Sequence, residues 1–224
     1  MKIFVLHYSK LTERKQHIIE QFKKQNITDY EFVECYNKED LTETDKQLFD
    51  TNRVKLSMIS LMNKHFYAYR RIAQQYSEAL ILEDDIILAD DFANKLTFYM
   101  QQLPKDYDML FIGDGCNLHI EPHKIKPNIN IYEKCLYPTQ WGGNGATRCT
   151  DSYVISNKGA IKLCKYIERL TRKITLPSDW WLNNVCRYII AKVYWAEPTI
   201  ITQGTENGTF QSSITPNKYN KIQK

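Results

Sequence analysis

Residues 78–92 read EALILEDDIILADDF, and the fold turns on how this stretch is read. Ala79 to Leu82 form an apolar run that drives straight into Glu83, Asp84 and Asp85, after which the chain turns apolar again at Ile86. A continuous apolar run of this length is what a parallel strand covered on both faces requires. Three adjacent carboxylates repel one another, and burying each unpaired would cost roughly several kcal/mol, so a positive partner is expected to meet them. In open α/β sheets ligands gather at the carboxyl ends of strands, which is where the acid triplet falls. On extended backbone Glu83 and Asp85 would face one side and Asp84 the other. The first two then read as a pair able to hold Mg²⁺ or Mn²⁺, cations that take one or two carboxylate oxygens and leave positions for phosphate and water. The competing reading is a set of exposed loop and helix-cap carboxylates with no ligand.

Working outward, KIFVLHY (2–8) reads as a buried strand and SKLTERKQHIIEQFKKQN (9–26) as a helix, with Ile18, Ile19 and Phe22 inward and Ser9 or Thr12 as cap. YEFVECY (30–36) is a second short strand. From Ser57, residues Met58, Leu61, Met62, His65, Tyr69, Ile72 and Tyr76 recur at the spacing of one helix face. Beyond the acid triplet, DDFANKLTFYMQQL (90–103) predicts a helix capped by Asp90 or Asp91, with Phe92, Leu96 and Leu103 inward. YDMLFIGD (107–114) predicts another parallel-type strand. CTDSYVISNKGAIKLCKYIERL (149–170) predicts a strand, a turn at Asn157 to Gly159, and a helix. LPSDWWLNNVCRYIIA (176–191) is a helix opened by Pro177, Ser178 and Asp179, with Leu182, Val185, Cys186 and Ile189 inward. KVYWAEPTIITQG (192–204) supplies two last short strands. Strands alternate with helices, so a single α/β domain with a mostly parallel central sheet flanked by helices is expected. Between Asp114 and Thr147 the pattern dissolves. A stretch this long is functional or mobile, and it is expected to order when a ligand binds.

The 224 residues are 43% hydrophobic and 12% aromatic, enough for a full-sized core. Thirty basic against 26 acidic residues leave a formal charge of +4, which gives nucleic-acid binding no support. No apolar run approaches membrane-spanning length and the first strand is too short for a signal segment, so a cytoplasmic chain is expected. The six cysteines are scattered without a CxxC pair, and free thiols are the expected state. His119, Glu121 and His123 alternate in HIEPH, but a proline-containing loop with no further ligand is a poor zinc site. GGNGA lacks the lysine and the strand-to-helix setting of a phosphate loop, and no GxSxG occurs.

Asp179 has two readings. A carboxylate at a helix start is favoured by the orphan N–H groups and the dipole. It could also serve as a general base, with Trp180 and Trp181 as a flat apolar platform for a sugar ring. His65 lies in the apolar stripe of its helix, where a packing role is the default.

Seven tracts come together in order: VLHYSKLTERK (5–15), LSMISLMNKHFYAYRRIA (56–73), ALILEDDIIL (79–88), DMLFIGDGC (108–116), TRCTDSYVISNKGAIKL (147–163), LPSDWWLN (176–183) and AEPTIITQGTENGTFQSSI (196–214). In this order they resemble the family 25 glycosyltransferases, which include lipooligosaccharide galactosyltransferases and collagen galactosyltransferase domains. The resemblance implies a GT-A type fold over residues 1–214, with 215–224 as a polar tail, and an inverting transfer of galactose or glucose from a UDP-sugar to a hydroxyl of a glycan or glycoprotein. It assigns Asp85 and Glu83, with Asp84 nearby, to Mn²⁺ (or Mg²⁺) and the diphosphate. Arg14 and the backbone around His7 become nucleotide contacts; Arg148, Thr150 and Asp151 line the sugar pocket; and Asp179 is the base. Bacterial members carry a Ser-His pair before the acid motif, where this chain has ISLMNKH, making Lys64 and His65 the candidates for donor contact. No late histidine is present as a third metal ligand. Two alternatives remain: a catalytically silent carbohydrate-binding or scaffold protein of the same fold, and a metal-dependent phosphohydrolase.

Overall fold

The computed structural model describes residues 1–135 and 147–211. The 141–146 part of the glycine-rich WGGNGATR tract, the polar tail and the expected domain boundary at residue 214 lie outside them. The chain opens with β1 (Lys2–Leu6), α1 (Thr12–Lys24) and β2 (Tyr30–Val33), then runs through a short α2 (Glu43–Lys46) to the long α3 (Leu56–Gln75). The acid stretch forms β3 (Glu78–Glu83) and β4 (Ile86–Leu88), followed by α4 (Phe92–Gln102), β5 (Met109–Phe111) and β6 (Ile131–Glu133). The last third supplies β7 (Ser152–Ser156), α5 (Asn157–Glu168), α6 (Ser178–Tyr188), β8 (Val193–Ala196) and β9 (Ile201–Gln203).

Seven strands form one sheet in the order β2-β1-β3-β7-β5-β8-β6, and β4 pairs with β9 in a separate two-stranded ribbon. Strands β1, β2, β3, β5 and β8 run in one direction, whereas β7 is antiparallel to both its neighbours and β6 is antiparallel to β8. The SYVIS strand is therefore the inversion at the centre of the sheet. Its residues are as apolar as those of a parallel strand because helices cover both faces of the sheet, which hides its direction from the sequence. Helices α3, α5 and α6 pack on one face around Phe66, Tyr69, Tyr153 and Trp195, and α1 and α4 pack on the other around Phe22, Leu80, Phe92 and Val154.

Several local expectations change. Neither Ser9 nor Thr12 caps α1, whose first residue follows Leu11 without a side-chain cap; Ile18 and Phe22 are buried but Ile19 only partly. Asp91 precedes α4 in the left-handed region, also without a cap bond. No turn separates β7 from its helix: the Ser156 hydroxyl accepts from the Gly159 N–H at 3.1 Å and α5 starts at once. Asn157, at that start, donates to the carbonyls of Ile72, Ala73 and Tyr76 at the end of α3, ending that helix from outside. Gly159 lets α5 approach the sheet, since a Cβ there would lie 2.5 Å from the Asp108 carbonyl oxygen. The irregular stretch after Asp114 contains β6, an edge strand of three residues that was too short to read.

Candidate active site

β3 carries Leu82 into the core and ends at Glu83, so the chain turns through Asp84 and Asp85 where the sheet stops. The turn is fastened from the far end of the chain. Gly204 donates its N–H to the Asp85 carbonyl at 2.6 Å and the Thr205 hydroxyl donates to Asp85 Oδ2 at 2.6 Å. A side chain at 204 would collide with the Asp85 carbonyl oxygen and the Phe210 ring, which is why the QGT tract needs its glycine.

The positive partner demanded by the triplet is Arg14. Its Nη1 donates to Asp84 Oδ1 at 2.7 Å, while Asp84 Oδ2 lies 2.8 Å from His7 Nδ1 and accepts the Tyr8 N–H at 3.1 Å. Burial alone would raise the Asp84 carboxyl, but His7 and Arg14 outweigh it and hold the carboxyl below its usual range. Asp85 is the opposite case. Burial and the adjacent Glu83 push it up to about 7, and its Oδ1 is buried without a hydrogen-bond partner. Glu83 accepts from the Thr150 hydroxyl at 2.8 Å.

These groups floor a cleft with an empty volume of about 680 Å³, open solvent included, walled by Tyr8, Lys38, Ser60, Leu61, Lys64 and Gln203. Of the expected nucleotide contacts, Arg14 and Lys64 reach this cleft together with the three acids. Lys64 spends its ammonium on the wall, donating to the His7 carbonyl at 2.7 Å, Asn37 Oδ1 at 3.2 Å and the Val33 carbonyl at 3.4 Å, and burial lowers it to about 8.

Asp179 sits in the first turn of α6, half-buried, and burial raises its carboxyl. It lines a second, smaller cavity with Lys134, Arg148 and Asn183. Thr150 joins the two: its hydroxyl touches both Glu83 Oε1 and, at 2.9 Å, the hydroxyl of Ser178 next to Asp179.

The side chains of most other expected site residues are buried. The His7 side chain is 0% exposed and braces Asp84 from behind. His65 is buried, with Nδ1 2.8 Å from the Tyr153 hydroxyl and Nε2 3.8 Å from Glu83, so it backs the acid. Arg148 is 1% exposed, donates to Glu197 and the Ala196 carbonyl and lines the smaller cavity with Asp179, and Asp151 is buried, accepting from the Ser152 hydroxyl. Burial raises the Asp151 carboxyl well above its usual range. Trp181, 7% exposed, packs on Phe66 and Tyr166 in the core, whereas Trp180 is 39% exposed. Thr205, Gln203 and Tyr8 are cleft residues that sequence reasoning missed; the Gly-Thr step after the last strand was their one visible signal.

The metal reading narrows accordingly. Asp84 is engaged by Arg14, His7 and Tyr8, which makes Asp85 and Glu83 the better candidate ligands. Among the described residues no three His, Cys, Asp or Glu side chains converge as a complete metal cage. A buried carboxylate with an unpartnered oxygen beside a second carboxylate fits a cation that takes its remaining ligands from phosphate and water.

A family profile described as "Glycosyltransferase family 25 (LPS biosynthesis protein)" matches residues 1–182, and the chain belongs to this family. The Acanthamoeba polyphaga mimivirus protein named "Putative glycosyltransferase R655" is 30% identical over 124 residues, which are 52% of this chain and 38% of that protein. The matched segment thus spans well under half of the viral relative. Among solved structures, the catalytic domain of Drosophila beta1,4galactosyltransferase 7 in complex with xylobiose aligns with a TM-score of 0.43 at 13% identity, covering 91% of this chain and 67% of that one. An active-site mutant of LgtC aligns with a TM-score of 0.48 at 11% identity, covering 87% and 72%. No helix among the described residues is long and apolar enough to cross a membrane.

Proposed function

We propose that this family 25 glycosyltransferase is an inverting enzyme that moves a hexose from a UDP-sugar to a hydroxyl of a glycan or glycoprotein acceptor. The observation that carries the reading is the Thr150 hydroxyl, which couples the acid turn flooring the open cleft to the start of the helix that bears Asp179. In this reading the donor lies in the cleft, its nucleotide along the Tyr8 and Lys64 wall and its diphosphate at the acid turn. Arg14 is already paired with Asp84 and sets the position of that turn. Asp85 and Glu83 would hold Mn²⁺ or Mg²⁺, which would supply positive charge beside the diphosphate of the donor. Asp179, its carboxyl raised by burial, takes the proton from the acceptor hydroxyl as that oxygen attacks the anomeric carbon from the face opposite the leaving group. Trp180 offers the acceptor its apolar face.

The test is thermal stabilisation of the purified chain by a panel of sugar nucleotides with and without Mn²⁺, because a ligand that binds only the folded state raises the melting temperature. A UDP-sugar shift that requires Mn²⁺ and disappears in Asp85→Ala supports the donor site. No shift with any nucleotide and metal returns the chain to the silent carbohydrate-binding reading.

A further inference from the structure

Cys116 and Cys149 are 33 residues apart in sequence, yet their sulfurs lie 3.3 Å from each other. Both are half-buried, so the pair is held by the fold and still reached by solvent. Both also adopt left-handed backbone, with φ of 60° and 64°, a conformation uncommon outside glycine. The two backbones are already in contact beside the thiols, since a Cβ on Gly115 would lie 1.8 Å from the Arg148 carbonyl oxygen. Closing a bond of about 2.05 Å therefore asks the sulfurs to approach by little more than an ångström.

We propose that Cys116 and Cys149 are a reversible redox pair that closes to an intramolecular disulfide on meeting a small-molecule disulfide such as oxidised glutathione. One thiol, as its thiolate, attacks a glutathione sulfur, forming a mixed disulfide and releasing one glutathione thiolate. The second cysteine, losing its proton, attacks the mixed disulfide and releases the other glutathione. Two protein thiols and one glutathione disulfide become one protein disulfide and two glutathione thiols, the two electrons passing to glutathione. The hydrogen bond with Cys116 and burial both raise the Cys149 thiol.

The pair's place gives the bond a consequence. Cys149 lies between Arg148, which is tied to Glu197, and Thr150, which touches Glu83 and Ser178. A closed disulfide pins this segment to Cys116 after β5 and closes the loop between them, so oxidation stabilises the chain.

The experiment equilibrates the reduced chain with graded ratios of reduced to oxidised glutathione, quenches the thiols, digests without reductant and maps the linkages. The expected result is a Cys116–Cys149 linked peptide that forms while the exposed Cys35 carries only thiol or glutathione adduct, and that dithiothreitol reverses. The melting temperature should rise by roughly 5 °C or more on oxidation, and not in Cys116→Ser or Cys149→Ser. Mapping that finds the two cysteines as separate thiols or adducts at every ratio, or linked between chains, overturns the proposal. A linked pair with an unchanged melting temperature overturns the pinning. Should the serine variants misfold, linkage mapping on the unmodified chain decides alone.

Discussion

Asp84 and Asp85 are adjacent, buried to nearly the same degree, and opposite in state. Asp84 spends its charge on Arg14 and His7, whereas Asp85 receives Thr205 on one oxygen and nothing on the other. The first is committed to partners within the fold, and in the proposed function the second is the ligand-binding carboxylate. Removing the Asp85 carboxyl by Asp85→Ala should abolish Mn²⁺-dependent thermal stabilisation by the donor. Thr205→Val, which deletes a hydrogen bond to a carboxylate worth about 1.5–3 kcal/mol, should weaken donor binding roughly tenfold or more in a titration. Asp179→Asn makes a different prediction: donor stabilisation is kept while kcat falls by about 10²–10⁴. The pH profile has a defined sign. Asp179 must be ionised to accept a proton and burial raises its pKa, so kcat/KM should fall as pH drops through a value above the ordinary carboxylate range near 3.9. An acid limb of kcat, measured at saturating donor, that lies at the unperturbed value would contradict the assignment.

At the scale of elements, the alternation of strands and helices was legible because apolar periodicity is a local signal, whereas the caps read for α1 and α4 do not form. The reading of β3 as a strand that delivers acids to a sheet end holds, and so does α3 with its inward Met62, His65, Tyr69 and Ile72. What the chain did not disclose are the non-local placements. Nothing near Ser152 announces that β7 runs against its neighbours, and nothing near Thr205 says that it returns to Asp85 over 120 residues of chain. Trp181 and Trp180 look alike in sequence, and only the packing of α6 against Phe66 separates a core ring from a surface one. The partner of Arg148 is likewise non-local: Glu197 lies 49 residues further along the chain. The seat of α5 gives a test at this scale. With a methyl forced to within 2.5 Å of the Asp108 carbonyl oxygen, Gly159→Ala must push α5 off the sheet. Overpacking of this kind costs about 1–3 kcal/mol, and the melting temperature should fall by roughly 2–12 °C despite the better helix propensity of alanine.

At the scale of the whole molecule, three distant segments meet at one buried ion pair. Arg148 donates to Glu197 Oε2 at 2.6 Å and to the Ala196 carbonyl at 2.7 Å, and its guanidinium lies 4.2 Å from the centre of the Trp195 ring. Glu197 in turn accepts the Ile120 N–H and contacts His119. The segment before Thr150, the end of β8 and the chain beyond β5 are thereby fixed to one another behind the candidate active site. Burial by itself would raise the Glu197 carboxyl, but the Ile120 N–H, His119 and Arg148 together hold it low. A depressed carboxyl contributes stability that is present above its unfolded pKa, near 4.3, and is lost as pH falls through the folded value. Replacing Arg148 by methionine strands that carboxylate, and breaking a buried pair from one side costs about 3–5 kcal/mol. Arg148→Met should therefore lower the melting temperature by roughly 10 °C at neutral pH. The gap from the unmodified chain should narrow as pH falls toward about 4, where Glu197 is protonated in the unfolded state and in the variant's folded state. Calorimetry across that range checks the sign: a gap that does not change with pH would mean that Arg148 stabilises the fold through its stacking on Trp195 and not through its charge.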